Sequence, residues 1–312
     1  MNKILITGAG GYVGTELCNY LAKKKYHITA VDTFWFGDKL DSNIKKIKAD
    51  IRNIDFKIFK DIDCVIHLAY LACDYSSAIN SKLTWEIGPL SLYYILEGCI
   101  KYKVKKIIFA SSGSIYGIKK EKKVTEQLGL KPLTDYNKSK MICERVVNSY
   151  DKKIKTVILR PGTVCGYSKR LRLDLLVNTF AYQAYYKKKI TINGGKQIRP
   201  IIHIQDLLNC YEFFINNSNS GTFNISYENK SVLEIAKMVS KIIPAKLSIN
   251  NGYDLRSYRM DNSKLKKLGF KFNHSIEDAV HELKRSFSKG FKPGIKNWNL
   301  KWLLKNKYIS KN

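Results

Sequence analysis

Short apolar runs and amphipathic stretches follow one another regularly through the first half of the chain. Residues 3–7 form an apolar run that ends in a glycine cluster, and residues 15–24 have the spacing of a helix with one apolar face. Apolar runs typical of further strands occupy residues 27–32, 64–69, 106–111 and 156–160. Helices are indicated over residues 86–102 and around Tyr136. Because strands that alternate with helices pair in parallel, this pattern predicts an α/β fold with a doubly wound parallel sheet.

The alternation becomes less regular beyond about residue 166. Helices are indicated at residues 171–187 and 232–243, and short strands at 190–192 and 222–225. We therefore expect a second, smaller α/β domain that is interlocked with the first. The expected parts are a first domain over residues 1–165, to which a segment of about 199–215 returns, a smaller domain over 166–290, and a basic, aromatic tail over 291–312.

A glycine-rich loop lies where the first strand ends and the first helix begins. Its residues are Gly8, Ala9, Gly10, Gly11, Tyr12, Val13 and Gly14. Glycines at such a turn let the backbone approach a pyrophosphate, which then rests on the helix N-terminus. Asp32 closes the next strand and is placed to accept ribose hydroxyls. Since Asp32 would repel a 2'-phosphate and residues 33–35 supply no Arg, we expect NAD rather than NADP.

Asp50 and Ile51 follow a third apolar stretch and are expected to bracket the adenine. The alternative for Asp50 is an ordinary loop acid. Both interpretations stay open at this point.

Tyr136 and Lys140 are four residues apart, so on a helix they lie on one face. A neighbouring ammonium group favours the phenolate form of a tyrosine, which is what a phenol needs to act as a base. Considered alone, the pair also fits a chance surface pair, because the chain has 20 Tyr and 55 Lys plus Arg. The nucleotide-binding loop upstream favours the catalytic interpretation.

The formal net charge of +29 is of the kind seen in proteins that bind nucleic acid or membranes. Nine of the 55 basic residues are Arg, and the Lys excess accompanies many Asn and Ile, so a compositional bias is the better explanation. We expect neither a nucleic-acid nor a membrane partner. In the tail, Trp298 and Trp302 alternate with lysines, which favours a packed terminal segment or a subunit contact over a membrane-surface helix.

The seven cysteines are scattered and include no Cys-x-x-Cys pair. Neither a disulfide framework nor a zinc site is indicated, and no metal is assigned. No run approaches the ~18 apolar residues of a spanning helix. The N-terminus lacks the pattern of a signal peptide, so a cytoplasmic location is expected.

Six motifs in order make the chain resemble the extended short-chain dehydrogenases/reductases, in the branch of NAD-dependent nucleotide-sugar epimerases and dehydratases. The motifs are Thr7-Gly8-x-x-Gly11-x-x-Gly14, Val65-Ile66-His67-Leu68-Ala69, Ser111-Ser112-Gly113-Ser114-Ile115-Tyr116-Gly117, Tyr136-x-x-x-Lys140, Arg160-Pro161-Gly162, and Gly194 to Asp206. The resemblance covers roughly residues 3–288. It implies that the first domain is a Rossmann-like, NAD-binding domain and that the second binds the substrate.

The resemblance also implies roles for individual residues. Tyr136 is the expected base that takes a proton from a sugar hydroxyl, with Lys140 beside it and Ser112 hydrogen-bonded to the reacting oxygen. Further cofactor contacts are expected from Leu68, Ala69 and Pro161. Substrate contacts are expected from Ser114, Thr163, Arg172, Arg199 and Arg256, of which the last two resemble arginines that grip a substrate diphosphate. The stretch around Arg172 further resembles enzymes of surface-polysaccharide biosynthesis.

Three departures from the family pattern narrow the expected reaction. Gly113 and Ser114 occupy the places of the Asp-Glu pair with which family dehydratases eliminate water, so 4,6-dehydration is not expected. Gly88 replaces an Asn found in many relatives. Thr163 replaces an Asn that often holds the diphosphate, and residues 165–167 replace the usual Tyr-Gly-Pro.

These features predict an NAD-dependent nucleotide-sugar epimerase that oxidises a sugar hydroxyl, at C4 by preference, and returns the hydride. The alternative is a dehydrogenase or ketoreductase without epimerisation, since all three share Tyr136, Lys140 and Ser112. A more remote alternative is a non-catalytic dinucleotide-binding or RNA-associated protein. By resemblance the enzyme is expected to form a homodimer through the helix that carries Tyr136 and the helix before the Ser112 strand.

Overall fold

The computed structural model describes residues 1–251 and 257–306, and a parallel sheet forms its centre. The strands are β1 (Lys3–Thr7), β2 (His27–Asp32), β3 (Lys45–Lys48), β4 (Cys64–His67), β5 (Lys106–Ala110), β6 (Lys155–Pro161), β7 (Thr163–Cys165), β8 (Lys189–Asn193), β9 (Ile198–His203), β10 (Gly221–Ile225), β11 (Glu228–Ser231) and β12 (Lys246–Asn250). Seven of them form one sheet in the order β10-β6-β5-β4-β1-β2-β3, in which every neighbouring pair is parallel. The predicted doubly wound sheet is confirmed.

Helices cover both faces of this sheet. They are α1 (Tyr12–Lys23), α2 (Asp74–Ile79), α3 (Ser81–Trp85), α4 (Ser91–Lys101), α5 (Asp135–Asn148), α6 (Leu176–Lys187), α7 (Ile204–Asn216), α8 (Val232–Ile242), α9 (Ser263–Lys267), α10 (Ile276–Ser288) and α11 (Asn299–Lys305). A π-helical turn, Glu86–Leu90, joins α3 to α4. Within residues 1–251 and 257–306, none of the helices combines the length and apolar character needed to cross a bilayer.

Alternate residues of the central strands explain why helices lie on both faces. Ile4 and Ile6 of β1 share a buried cluster with residues of α1 and α7. Leu5, between them, belongs to a second cluster with residues of α4 and α5. Since successive side chains of a strand point to opposite faces, an unbroken apolar run requires cover on both sides.

The strand at Gly221–Ile225 corrects one expectation. We expected the apolar run at 222–225 in the smaller domain, but it is β10, the edge strand of the main sheet, paired in parallel with β6. Phe223 is buried against Phe214 of α7, with 4.7 Å between ring centroids. Helix α7 is thus the crossover that brings β10 beside β6, and a short strand pattern by itself does not identify its partner.

The remaining strands and helices build a smaller lobe. It contains a three-stranded sheet, β11-β9-β7, a two-stranded sheet, β12-β8, and helices α6, α8 and α10. The helix expected over 171–187 begins at Leu176, because Leu171 and Leu173 are buried in the preceding non-helical segment. The segment 199–215 divides: β9 stays in the small sheet, and α7 packs on α1. The domain boundaries themselves stay a prediction.

The end of the described chain packs against the first domain. Trp302 and Leu303 of α11 are buried in a cluster with Ile51 and Leu71. The ring of Trp302 lies 4.7 Å from that of Phe36, centroid to centroid. The tail expected over 291–312 is thus a packed segment as far as residue 306, and residues 307–312 lie outside the described part.

Candidate active site

The loop between β1 and α1 has glycines where side chains would collide with backbone. Gly8 has φ +73°, and a Cβ there would lie 2.5 Å from the Ala69 nitrogen. A Cβ at Gly14 would lie 2.1 Å from the Gly8 carbonyl oxygen. The loop therefore packs directly against the end of β4 and leads into the N-terminus of α1, which begins at Tyr12. This is a cradle in which backbone N–H groups and the helix dipole favour an anion.

Asp32 lies at the carboxyl end of β2 with its carboxylate held in place. Its Oδ2 accepts a hydrogen bond from the Gly10 nitrogen at 3.0 Å, and its Oδ1 accepts one from the Phe34 nitrogen at 2.7 Å. Burial raises the pKa of Asp32, and these hydrogen bonds oppose the rise. The orientation is that of an acceptor for ribose hydroxyls beside the glycine cradle.

A cavity of about 250 Å³ joins the cradle to Asp32. Eleven of the residues singled out from the sequence line it: Gly8, Gly11, Tyr12, Val13, Gly14, Asp32, Asp50, Ile51, Leu68, Ala69 and Arg172. Among the described residues, Gly10, Pro161, Ser112, Tyr136 and Lys140 lie outside this lining. The cavity thus lies where the adenosine and diphosphate part of a dinucleotide is expected, and the predicted catalytic residues do not line it.

Asp50 lies at the cavity and is also paired with a neighbouring residue, so its expected contact with the adenine stays a prediction. It lines the cavity, and its side chain accepts from the Arg52 nitrogen and pairs with the Arg52 guanidinium at 2.8 Å. Arg52 also pairs with Glu86. Ile51 is buried and packs in the same cluster as Trp302. The carboxylate of Asp50 is therefore engaged by the protein, and Ile51 supplies the apolar wall.

Helix α5 carries Tyr136 in its first turn and Lys140 in its second. The helix begins where the Thr134 hydroxyl accepts from the Asn137 nitrogen. Lys140 is 3% exposed, and its Nζ donates to the Ala110 carbonyl at 2.6 Å. The ammonium lies 3.5 Å from the centroid of the Tyr70 ring. Burial lowers the pKa of Lys140 to about 7.

Ser112 and Ser114 connect the end of β5 to Tyr136. Ser112 interacts with the Tyr136 phenol and lowers its pKa, and the Oγ of Ser112 lies 2.8 Å from that of Ser114. Ser114 donates in turn to Oδ1 of Asn137 at 2.5 Å. Ser112, Ser114 and Asn137 thus form one hydrogen-bonded row at the N-terminal end of α5, beside Tyr136.

The pKa of the Tyr136 phenol differs from expectation. Burial raises it, and the negative charge of Asp74 adds to the rise. Ser112 opposes the rise through its hydrogen bond, and Arg172 opposes it through its positive charge. We expected Lys140 to lower the pKa of Tyr136, but the Lys140 ammonium is directed at the Ala110 carbonyl and the Tyr70 ring.

Besides Ser114, the expected substrate residues that the structure describes lie on three segments. Thr163 begins β7 and Arg199 lies on the neighbouring β9, where it is half-buried and donates to the Ile198 carbonyl at 3.3 Å. Arg172 is buried beside the cavity and pairs with Asp174 at 2.8 Å. Arg256 lies outside the described residues.

Comparison with known proteins decides the family. Residues 4–226 match the model of the NAD dependent epimerase/dehydratase family. The chain belongs to this family. The match confirms the resemblance found in the sequence, and with it NAD as the cofactor that Asp32 predicts. The chain is thus an enzyme of the epimerase/dehydratase class.

The relatives of this chain include proteins named as epimerases and proteins named as dehydratases. A Dictyostelium discoideum protein named dTDP-D-glucose 4,6-dehydratase is 30% identical over 277 residues, which cover 78% of this chain and 62% of that protein. A Lactobacillus helveticus protein named UDP-glucose 4-epimerase is 27% identical over 311 residues, covering 89% and 94%. The solved structure of UDP-glucuronic acid 4-epimerase from Bacillus cereus, with UDP-glucuronic acid and NAD, matches with a TM-score of 0.83 at 28% identity, covering 93% of this chain and 100% of that one.

A buried network that the sequence did not predict holds the site of this epimerase/dehydratase together. Arg160 at the end of β6 pairs with Glu144 of α5 at 2.6 Å, and both side chains are buried. Glu144 also accepts from Ser111 at 2.5 Å, and Arg160 donates to Tyr116. Glu144 lies two helical turns after Tyr136, a spacing that could have marked it as a residue of the same face.

Gly88 has a structural explanation in this member of the family. A Cβ at Gly88 would lie 2.6 Å from the Tyr70 hydroxyl. The Tyr70 hydroxyl is hydrogen-bonded to Ser139, and its ring lies edge-on to Tyr136 at 5.6 Å. The glycine therefore makes room for an aromatic side chain that contacts both predicted catalytic residues of α5.

Proposed function

We propose that this enzyme is a nucleotide-sugar 4-epimerase whose substrate is a UDP-sugar. The observation that carries the proposal is the position of Ser112, which interacts with the Tyr136 phenol and lowers its pKa, next to the helix that also carries the buried Lys140. Gly113 and Ser114 stand where dehydratases of the family have their acidic pair. The relatives named as UDP-glucose and UDP-glucuronic acid 4-epimerases support the choice of nucleotide and carbon.

In the proposed mechanism the chain's own residues bind the sugar and move one proton. Bound NAD supplies the acceptor and donor of the hydride. Tyr136 takes the proton of the C4 hydroxyl, and Ser112 holds the same oxygen by a hydrogen bond. Arg172 stabilises the phenolate by its charge. After the sugar turns over, Tyr136 returns the proton to the C4 oxygen, so that only the configuration of C4 has changed.

The residues after Ser112 favour epimerisation over 4,6-dehydration. Elimination of water needs an acid for the leaving hydroxyl and a base for the C5 proton. A Cβ at Gly113 would lie 2.5 Å from the Met260 sulfur, so the space of an acidic side chain is filled. Ser114 is engaged with Ser112 and Asn137.

Product analysis with limiting cofactor tests the proposal. Purified enzyme is incubated with UDP-glucose, UDP-glucuronic acid, UDP-N-acetylglucosamine or dTDP-glucose and substoichiometric NAD, and NMR identifies the products. We expect at least one UDP-sugar to reach equilibrium with its C4 epimer. Steady accumulation of NADH would indicate a dehydrogenase instead, and a 4-keto-6-deoxy sugar would indicate a dehydratase. Tight, salt-dependent RNA binding without turnover of any sugar would favour the non-catalytic alternative.

We also propose that the enzyme is a homodimer in which α4 and α5 form the interface. Leu90, Tyr93 and Tyr94, at and near the start of α4, are 58%, 48% and 50% exposed. Apolar and aromatic side chains grouped on one helix are typical of an interface. Light scattering should give a dimer for the native chain and a monomer for Tyr93→Glu/Tyr94→Glu. The cytoplasmic location and the role in surface-polysaccharide synthesis stay predictions.

A further inference from the structure

Arg170 is a buried cation in the wall of the cofactor cavity that the sequence did not indicate. It lies in the loop after β7, is 5% exposed, and lines the same cavity as Asp32. Its guanidinium lies 3.8 Å from the centroid of the Phe36 ring, and its Nη2 donates to the side-chain oxygen of Asn299. The side chain is thus fixed from two sides, by the loop after β2 and by α11.

Two nitrogens of this guanidinium lack a hydrogen-bond partner among the described residues. Nε and Nη1 of Arg170 are both buried and unpaired. Burial, with Arg172 adding to it, lowers the pKa of Arg170 to about 9, and the charges of Asp174 and Asp32 only partly offset this. A buried donor without an acceptor costs free energy, and a buried charge costs more. The arrangement therefore calls for oxygen acceptors from a ligand.

We propose that Arg170 is a cofactor-binding residue that donates from Nε and Nη1 to oxygens of the adenosine diphosphate half of NAD. The cavity that it lines is formed by the glycine cradle and Asp32, which are the diphosphate and ribose parts of the site. A planar guanidinium presents paired donors suited to phosphate and hydroxyl oxygens. The proposal rests on NAD dependence and is independent of which sugar is turned over.

Asn299 is the positioning residue in this proposal, and through it α11 becomes part of the cofactor site. Its side chain accepts from Arg170, and its backbone nitrogen donates to Asp174 at 3.1 Å. Asn299 also lines the cavity. The same helix presses Trp302 against Phe36, the ring on which Arg170 stacks. Cofactor affinity should therefore depend on a helix near the C-terminus.

Titration of NAD into the apoenzyme by calorimetry, without sugar, tests this role. Arg170→Met keeps an unbranched aliphatic stem and removes the donors and the charge, and Arg285→Met on the exposed face of α10 is the matched control. We expect NAD binding to weaken about 10- to 100-fold in Arg170→Met, from loss of charge-assisted hydrogen bonds. Arg170→Lys and Asn299→Ala should show smaller losses, and Arg285→Met none. The melting temperature of apo Arg170→Met should be unchanged or higher, because an apolar side chain replaces a buried, uncompensated charge.

The ligand probes separate this role from its alternatives. If Arg170→Met binds ADP more weakly but adenosine normally, the contact is with the diphosphate. If it binds both more weakly, the contact is with the ribose. Either result supports the proposal. Unchanged NAD affinity with a lowered melting temperature would overturn it in favour of a structural role. A loss confined to NADP would also overturn it. If Arg170→Met fails to fold, unchanged NAD affinity in both Arg170→Lys and Asn299→Ala carries the same contradiction.

Discussion

At the scale of single residues, the site is arranged around one phenol. Tyr136 is raised in pKa by burial and by Asp74, and lowered by Ser112 and Arg172. The ammonium of Lys140, on the same helix, contacts a carbonyl oxygen and an aromatic ring. The ionisation of the proposed base therefore depends on burial and on Asp74, Ser112 and Arg172.

Removing the phenol oxygen should remove the reaction and leave the cofactor bound. Tyr136→Phe is expected to lower kcat by about 10²–10⁴ because proton transfer is lost. Ser112→Ala should cost about 10-fold, the worth of one hydrogen bond to the reacting oxygen. Steady-state kinetics on the active UDP-sugar, with NAD affinity measured in parallel, provides the check. Full activity of Tyr136→Phe would disprove its assignment as the base.

Burial of Lys140 predicts a pH-dependent stability. Its pKa is lowered in the folded state to about 7, while the unfolded value is near 10.5, so the unfolded chain binds more protons between these values. Stability contributed by this group therefore rises with pH from about 7 to about 10. Lys140→Met should abolish this slope and stabilise the apoenzyme by roughly 1–4 kcal/mol at pH 6. Denaturant unfolding at pH 6 and pH 9 measures the free energy of unfolding of both proteins. A Lys140→Met variant less stable than the native chain at pH 6 would contradict this prediction.

At the scale of elements, a buried ion pair holds α5 to the end of β6, and a hydrogen bond holds α5 to the segment after β5. Glu144 of α5 pairs with Arg160 and accepts from Ser111, the residue before Ser112. Glu144→Leu leaves the Arg160 charge buried and should cost about 3–5 kcal/mol. The exposed Arg145→Leu, one position along the same helix, is the control and should cost little. Equal losses for the two variants would show that the ion pair does not set the stability of this junction.

Helix α11 should contribute to both the stability of the fold and the affinity for NAD. Trp302→Ala is expected to cost about 3 kcal/mol from the cavity that it leaves in the cluster with Ile51. It should also weaken NAD binding, because it loosens Phe36 beneath Arg170. Exposed Leu304→Ala is the control. Thermal unfolding and NAD titration check both effects, and loss of stability without loss of affinity would separate α11 from the cofactor site.

Much of the fold was predictable from local sequence patterns. The exceptions depend on contacts between residues that are distant in the sequence. The strand at His27–Asp32 has its predicted bounds, because its apolar residues and its terminal Asp are local signals. The position of β10 beside β6 was not predictable, because the sequence of a short strand does not indicate which strand it pairs with. Arg170 went unnoticed for the same reason, since it stands in a basic segment beside Lys169 and its partner Asn299 is 129 residues away. The motif residues around the cavity were predicted because their spacing reflects a geometry that NAD imposes.

At the scale of the whole molecule, the proposed mechanism divides the reaction between the two lobes. The parallel sheet presents the cofactor cavity at the carboxyl ends of its strands, with Tyr136 at the start of α5, and the segments from β7 onward carry Thr163, Arg172 and Arg199, which are predicted substrate residues. The central claim is that C4 of a nucleotide sugar is oxidised and reduced again within this cleft, with nothing eliminated from the ring.

A C4-deuterated UDP-sugar tests this claim most directly. The active UDP-sugar, labelled at C4, is incubated with the enzyme and substoichiometric NAD, and NMR follows the label. Our account predicts the C4 epimer with deuterium retained at C4, no incorporation of solvent hydrogen at C5, and no build-up of reduced cofactor. Migration of the label to C6 with loss of the C6 oxygen would contradict it, since that is the outcome of dehydration, as would stoichiometric transfer of the label to NAD without an epimer.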